Sequence, residues 1–137
     1  MNAKYLLRIA AGLTLFTCLG HTLGHFKPIP EGKYALAGAL ELMKRVDVEF
    51  PIGAPKTLMD IRAGSTLSIS VFLLAFGLIL IFLSNISGRT SVAKIQIVIG
   101  LALLGIGILS QLYFFPLPAI CTGLAGILAI TAARMKA

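Results

Sequence analysis

Four long apolar stretches follow one another along the chain, separated by short polar or charged segments. About 20 apolar residues cross a hydrocarbon core of ~30 Å, because each residue of an α-helix rises ~1.5 Å. We therefore predict four membrane-spanning helices, over about residues 5–26, 57–84, 91–114 and 118–134. The expected fold is all-α, an integral membrane antiparallel four-helix bundle that forms a single domain over residues 1–137.

The connection between the first two spans, residues 27–56, is the longest segment outside the predicted membrane. Apolar side chains recur there at helical spacing, namely Tyr34, Leu36, Ala37, Leu40 and Met43. This spacing predicts a short amphipathic helix that lies on the membrane or caps the bundle. Glu41 and Arg45 have the i, i+4 spacing of an ion pair. Alternation over residues 46–50 predicts an extended segment, and Pro51 to Pro55 predicts a bend.

The second span has a recognisable start and end. Thr57 and Asp60 have the spacing of a capping box, so a role at the helix start explains the Asp60 carboxylate. Asn85 to Arg89 is a turn sequence with serine and glycine. Proline at the start of the fourth span is compatible with the first position of a helix.

Composition excludes an ordinary soluble domain. The chain is 58% hydrophobic and only 12% charged, whereas about a quarter of the residues of a typical soluble protein carry charge. The net charge of +7 comes from bases at the edges of apolar segments. No segment combines clustered Lys and Arg with aromatic residues, so we expect no nucleic acid partner.

The loop charges predict an orientation. The twelve basic residues divide evenly between the two sides, but all five acidic residues fall on one side. The side without acids carries its bases at the ends of spans, namely Lys4, Arg8, Arg89, Lys94, Arg134 and Lys136. By the positive-inside rule we expect both termini in the cytoplasm and the connection over residues 27–56 on the exoplasmic face, in the bacterial inner (plasma) membrane.

A histidine pair within the first span is the main functional lead. Ionisable groups inside a membrane are costly and usually mark function. His21 and His25 are four residues apart and share one helix face with Thr17 and Thr14. Gly20 and Gly24 form a neighbouring row that would let another backbone approach closely.

The same depth of the membrane should contain polar groups from the other spans, so we predict a pocket open to the exoplasmic face. Its candidate ligand-binding residues are His21, His25, Thr17, Gln111, Tyr113 and Ser68. A lipid, a quinone or a partner subunit would suit such a pocket. The alternative is a purely structural role, in which both imidazoles hydrogen-bond to neighbouring helices.

Metal binding is a second possibility for the pair. Two histidines at i, i+4 suit adjacent ligands on one ion, and carboxylates would complete the set, giving His21, His25, Glu49 and Asp60. A metalloprotease HExxH motif is absent. A haem with two histidine ligands is disfavoured, because one helix face delivers both rings from the same side of the iron.

The remaining polar and small residues have structural explanations. Cys18 and Cys121 lie in apolar segments and are expected to behave as small hydrophobes, although a disulfide between their helices is geometrically possible. Gln96 is expected to extend from its helix towards the cytoplasmic interface. Glycines of the third and fourth spans should mark close packing of these two helices: Gly100, Gly105, Gly107, Gly123 and Gly126.

The run from Leu19 to Phe26, LGHTLGHF, resembles the first helix of a group of small bacterial four-helix membrane proteins of uncharacterised function, and the charged connection resembles that group too. The resemblance implies the four-helix fold and draws attention to the histidines, but it implies no reaction. Three hypotheses follow: binding of a lipid, quinone or partner subunit, in a protein that can also form a homo-oligomer; a metal-dependent membrane enzyme or oxidoreductase; and a small transporter. The absence of a mid-span carboxylate argues against the last.

Overall fold

The protein is described by a computed structural model over residues 2–28, 32–86 and 90–135. Its elements, in chain order, are α1 (Ala3–Phe26), α2 (Tyr34–Arg45), β1 (Asp47–Val48), β2 (Lys56–Thr57), α3 (Leu58–Asn85), α4 (Thr90–Tyr113) and α5 (Pro116–Arg134). Four of the described helices, α1, α3, α4 and α5, are long and apolar enough to cross a membrane. The predicted all-α, multi-pass membrane protein is confirmed at this level.

The predicted spans agree with the helices to within about two residues at each end. The two largest differences are at the starts of α1, at Ala3 rather than residue 5, and of α5, at Pro116 rather than Pro118. Phe115 has extended backbone angles (φ −111°, ψ 161°) and directly precedes the helix. A proline in the first turn loses no helical hydrogen bond, so both prolines fit there. Ser87, Gly88 and Arg89 of the predicted turn lie outside the described residues.

The chain forms two compact units. The first contains Met1–Leu19 and Val71–Ala137, and the second contains Gly20–Ser70. The single domain over residues 1–137 stays a prediction.

The first unit has one hydrophobic core to which α1, α3, α4 and α5 all contribute. Many of its buried residues are alanines, among them Ala10, Ala11, Ala125 and Ala129. Lipid is as apolar as the helix surface, so helices in membranes associate through close van der Waals packing, which small residues permit. Gly77 of α3 shows this, because a Cβ there would be 2.6 Å from the Leu15 side chain of α1.

A glycine seam joins α4 to α5. A Cβ added at Gly126 would be 2.6 Å from the Gly100 carbonyl oxygen, and one added at Gly107 would be 3.1 Å from the Gly123 nitrogen. Gly100 also contacts Ile130. Gly100, early in α4, is next to Gly126 and Ile130, late in α5, whereas Gly107 is next to the earlier Gly123. The two helices are therefore antiparallel. The predicted close packing is confirmed for Gly100, Gly107 and Gly126, whose added Cβ atoms would meet the facing helix. Gly123 contributes only its backbone, which a Cβ at Gly107 would contact, and a Cβ at Gly123 itself would meet no described atom within 4 Å. The prediction is wrong for Gly105, which has no such contact among the described residues in either direction.

We predict that Gly126→Ala destabilises the protein by about 1–3 kcal/mol, because the new methyl group must displace backbone rather than a flexible side chain. The measurement is unfolding of the detergent-solubilised protein by titration with a denaturing detergent. Gly105→Ala is the matched control in the same helix pair and should leave stability unchanged or slightly raised, since alanine favours helix. Equal loss in both variants would contradict the seam.

The second unit contains α2 and a short β-hairpin. The predicted amphipathic helix is confirmed as α2, and the predicted extended segment contains β1, which pairs antiparallel with β2 in the register Asp47 to Thr57. The bend between them uses Gly53 at φ +104°, a conformation that favours glycine.

One contact in α2 differs from the prediction. Glu41 forms its ion pair with Lys44, at i, i+3, and not with Arg45. The hydrogen bond and the charge of Lys44 lower the pKa of Glu41, with a smaller contribution from the charge of Arg45. Both partners are largely exposed, so the pair contributes little to stability.

Candidate ligand-binding site at the histidine pair

The histidine pair lies in the last two turns of α1, within the second unit. His21, Thr22 and His25 are half-buried, whereas Leu19, Leu23 and Phe26 are exposed. The two imidazoles therefore share one helix face, as the i, i+4 spacing predicted, and apolar side chains occupy the faces beside it.

One ring nitrogen of each histidine is withdrawn from solvent. His21 Nε2 and His25 Nδ1 each expose less than 1 Å². His25 Nδ1 has no hydrogen-bond partner among the described residues, and the ring packs edge-on against Phe26 with centroids 4.9 Å apart and planes at 84°. A buried polar atom without a partner is costly, because burial removes its hydrogen bonds to water. His25 Nδ1 is thus the atom in the second unit best placed to take a hydrogen bond from, or give one to, a bound molecule.

The threonine hydroxyl groups that precede the histidine pair donate hydrogen bonds to backbone carbonyls of α1 itself. Thr14 Oγ1 donates to the Ala10 carbonyl at 2.8 Å, and Thr17 Oγ1 donates to the Leu13 carbonyl at 2.9 Å. Both threonines are buried, with Thr17 only 8% exposed. With its proton engaged, Thr17 retains only acceptor capacity, so its predicted part in a ligand site is limited to accepting a hydrogen bond.

The other predicted pocket residues are divided between the two units. Ser68 is exposed on α3 within the second unit, which also contains the histidines. Gln111 is exposed and Tyr113 is 76% exposed, both in the last turn of α4 in the first unit. A pocket that unites all of them stays a prediction.

The glycine row beside the pair is open. A Cβ at Gly20 or Gly24 would meet no atom within 4 Å in the described part of the chain. The expectation that this row admits another backbone at close range is therefore not met by any described helix.

The predicted metal set is not assembled. Within the described ranges, no group of three or more His, Cys, Asp or Glu residues is placed to hold a metal ion, although His21, His25, Glu49 and Asp60 all belong to the second unit. Asp60 is instead engaged at the start of α3. Its Oδ2 accepts hydrogen bonds from the Thr57 backbone N–H at 3.1 Å and from Thr57 Oγ1 at 2.9 Å. The Asp60 N–H donates to Thr57 Oγ1 at 3.1 Å, which completes the predicted capping box.

We predict that Thr57→Ala and Asp60→Ala each destabilise the protein by about 0.5–2 kcal/mol, the usual cost of losing a helix cap. Since both substitutions remove the same reciprocal bonds, the double variant should cost little more than either single one. Denaturing-detergent titration of the four proteins in the cycle measures this. Fully additive losses would contradict the capping box, and a loss of bound metal in Asp60→Ala would restore Asp60 as a ligand.

Gln96 is a buried polar residue, and its burial was not predicted from the sequence. It was expected to extend towards the interface, but it is only 2% exposed on α4 in the first unit. Its neighbours at i−4, i+3 and i+4 on the helix, Val92, Ile99 and Gly100, are buried too. The signal that points inwards is this shared face, since the three residues and Gln96 form one row of the 3.6-residue period. No hydrogen bond joins the Gln96 amide to another described residue.

We predict that Gln96→Leu raises stability by about 1 kcal/mol or leaves it unchanged, because leucine, an apolar side chain of similar volume, replaces a polar side chain in a row of buried residues. Thermal unfolding in detergent measures it. The control is Gln111→Leu, an exposed glutamine of the same helix, which should have no effect. A clear destabilisation by Gln96→Leu alone would show that the amide has a partner in the folded protein, such as an internal water molecule.

Neither Cys18 nor Cys121 is part of a disulfide. Cys18 packs against the core of the first unit and Cys121 is buried. Their expected behaviour as small hydrophobic residues is confirmed, and the alternative disulfide is not formed.

No protein-family model matches this chain, and no curated protein and no solved structure matches it either. The resemblance of the LGHTLGHF run to small bacterial four-helix membrane proteins therefore stays a prediction.

Proposed function

We propose that this chain is a small integral membrane protein that binds an amphiphilic molecule, a lipid or a quinone, through a polar site at His21 and His25. A partner subunit is the other occupant that would suit the site. The observation that carries this proposal is His25 Nδ1, an imidazole nitrogen hidden from solvent and without a hydrogen-bond partner in the described residues.

The chemistry of the site favours an amphiphile. A neutral imidazole has one nitrogen that donates and one that accepts, so it can meet a quinone carbonyl, a hydroxyl or a phosphate oxygen. Leu19, Leu23 and Phe26 of the same helix are exposed and present an apolar surface. Such a surface suits an acyl or isoprenoid tail in van der Waals contact with the helix, while the head group reaches the imidazole.

The proposed architecture is an antiparallel bundle of the four long helices, with both termini in the cytoplasm and residues 27–56 on the exoplasmic side of a bacterial inner membrane. The antiparallel α4–α5 pair and the common core of the first unit support the bundle. The distribution of charge supports the orientation, because all five acidic residues lie between positions 31 and 60. In this arrangement the histidines stand near the exoplasmic end of α1, and Ser68, exposed on α3 within the same unit, is the proposed contributor from another helix.

We predict that a lipid or quinone co-purifies with the protein in near-stoichiometric amount and that His25→Ala loses most of it. A lost hydrogen bond to a buried group of the ligand should weaken binding by about tenfold, equivalent to ~1.4 kcal/mol. The measurement is mass spectrometry of the solvent extract from detergent-purified protein, with metal content determined on the same sample. Thr131→Ala, an exposed polar residue of α5, is the control and should retain the ligand.

Several outcomes would contradict the proposal. Stoichiometric metal that is lost in His25→Ala would favour the hypothesis of a metal-dependent enzyme. A protein that retains no amphiphile, and whose His25→Ala variant is merely less stable, would mean that the imidazoles are structural. A polypeptide in place of the amphiphile, released by His25→Ala, would identify a partner subunit as the occupant.

A further inference from the structure

The first unit carries positive charge with no compensating acid. All five acidic residues of the chain lie between positions 31 and 60, so the segments Met1–Leu19 and Val71–Ala137 contain none. Four described bases belong to this unit, and we refer to them as the basic cluster: Lys4, Arg8, Lys94 and Arg134. None of the four forms an ion pair or a side-chain hydrogen bond with another described residue. The described residues therefore supply these four bases with no anionic partner.

Two members of the basic cluster, Lys94 and Arg134, lie at the same end of the α4–α5 pair. Because α4 and α5 are antiparallel through Gly100 and Ile130, the start of α4 and the end of α5 lie on the same side. Lys94 and Arg134 stand there, each two residues from a buried core residue, Val92 and Ala132. Ala3, Leu6 and Leu7 of the first two turns of α1 belong to the same core, and Lys4 and Arg8 flank them.

The helix ends add to the positive potential. Lys4 lies in the first turn of α1 and Lys94 in the second turn of α4, and neither helix has an acidic residue in its first turn. A helix N-terminus carries partial positive charge, so a lysine there is unfavourable unless an anion is near. Lys4 and Arg8 are also a like-charge pair at i, i+4. Lys94, Arg8 and Arg134 are exposed and free to meet an anion.

We propose that the basic cluster binds the phosphate group of an anionic phospholipid. The bases stand at the ends of helices that are apolar enough to cross a membrane, which is the depth of phospholipid phosphates. Anionic lipid also matches a surface that offers several donors and no repelling carboxylate. The basic cluster consists of residues of the first unit, whereas the histidine pair belongs to the second unit.

Binding of phosphatidylglycerol to the detergent-purified protein, followed by native mass spectrometry, tests the proposal. Each base near a membrane surface contributes about fivefold to the affinity, so Lys94→Gln with Arg134→Gln should weaken binding about 25-fold. The matched control is Lys44→Gln with Arg45→Gln in α2, which removes the same charge from the second unit and should leave the affinity unchanged. Binding by the wild type should also fall as salt is raised, which tests the charge mechanism even if the double variant folds poorly.

Three further arms identify the ligand and the site. Phosphatidylcholine should bind at least about tenfold more weakly than phosphatidylglycerol, since its head group is neutral overall. Inorganic phosphate should compete poorly, and equally strong binding of free phosphate would overturn the assignment to lipid. His25→Ala should retain phosphatidylglycerol, so failure of the proposed function leaves this result intact. Equal binding of both lipids, equal loss in the α2 control or affinity insensitive to salt would each overturn the basic cluster as the site.

Discussion

Hydrogen bonding of polar groups within the chain itself is the constraint on which the rest of this structure depends. A hydrocarbon environment offers no water to backbone N–H and C=O groups, so an unpaired one costs several kcal/mol. The four long helices satisfy these groups internally. The hydroxyls follow the same rule, because Thr14, Thr66 and Thr122 each donate to the carbonyl four residues earlier. Most intramembrane polarity is thereby neutralised locally, and only a few side chains remain available for function.

Close packing replaces the hydrophobic effect as the source of association between these helices. Alanines of α1 and α5 and the glycines of α4 and α5 let backbones approach to contact distance. Three sets of charged or hydrogen-bonding side chains are not explained by this packing. They are the histidine pair, the buried Gln96 and the acid-free group of bases at the ends of α1, α4 and α5. The histidines suit a ligand with a polar head and an apolar tail, and the bases suit its phosphate-bearing neighbours in the membrane.

Several features could be predicted because each depends on residues close together in sequence. The helix limits follow from the length of the apolar runs, and the capping box follows from a three-residue spacing. Close packing between glycines of α4 and α5 was predicted from their sequence, but the prediction failed for Gly105. It is as small as Gly100 and Gly107, yet it lies outside the contact with α5, and the face that a helix turns to its neighbour depends on rotation about its axis. Glu41 was assigned the wrong base for a related reason, since Lys44 and Arg45 are both within reach along one helix face and side-chain rotamers decide between them.

The sequence by itself determined the class of protein, the four helices and the common face of His21 and His25, because these depend on hydrophobic run length and the 3.6-residue period. Tertiary structure alone decided which polar groups are buried. Gln96 and Gln111 occur in the same helix, yet the first is 2% exposed and the second is exposed. Gln96 shares a helical row with Val92, Ile99 and Gly100, but only the fold shows that this row faces neighbouring helices. The metal hypothesis likewise depended on the fold: the Asp60–Thr57 bond is local and predictable, whereas a metal site needs residues that the chain must bring together, and the described residues form no such group of three or more ligands.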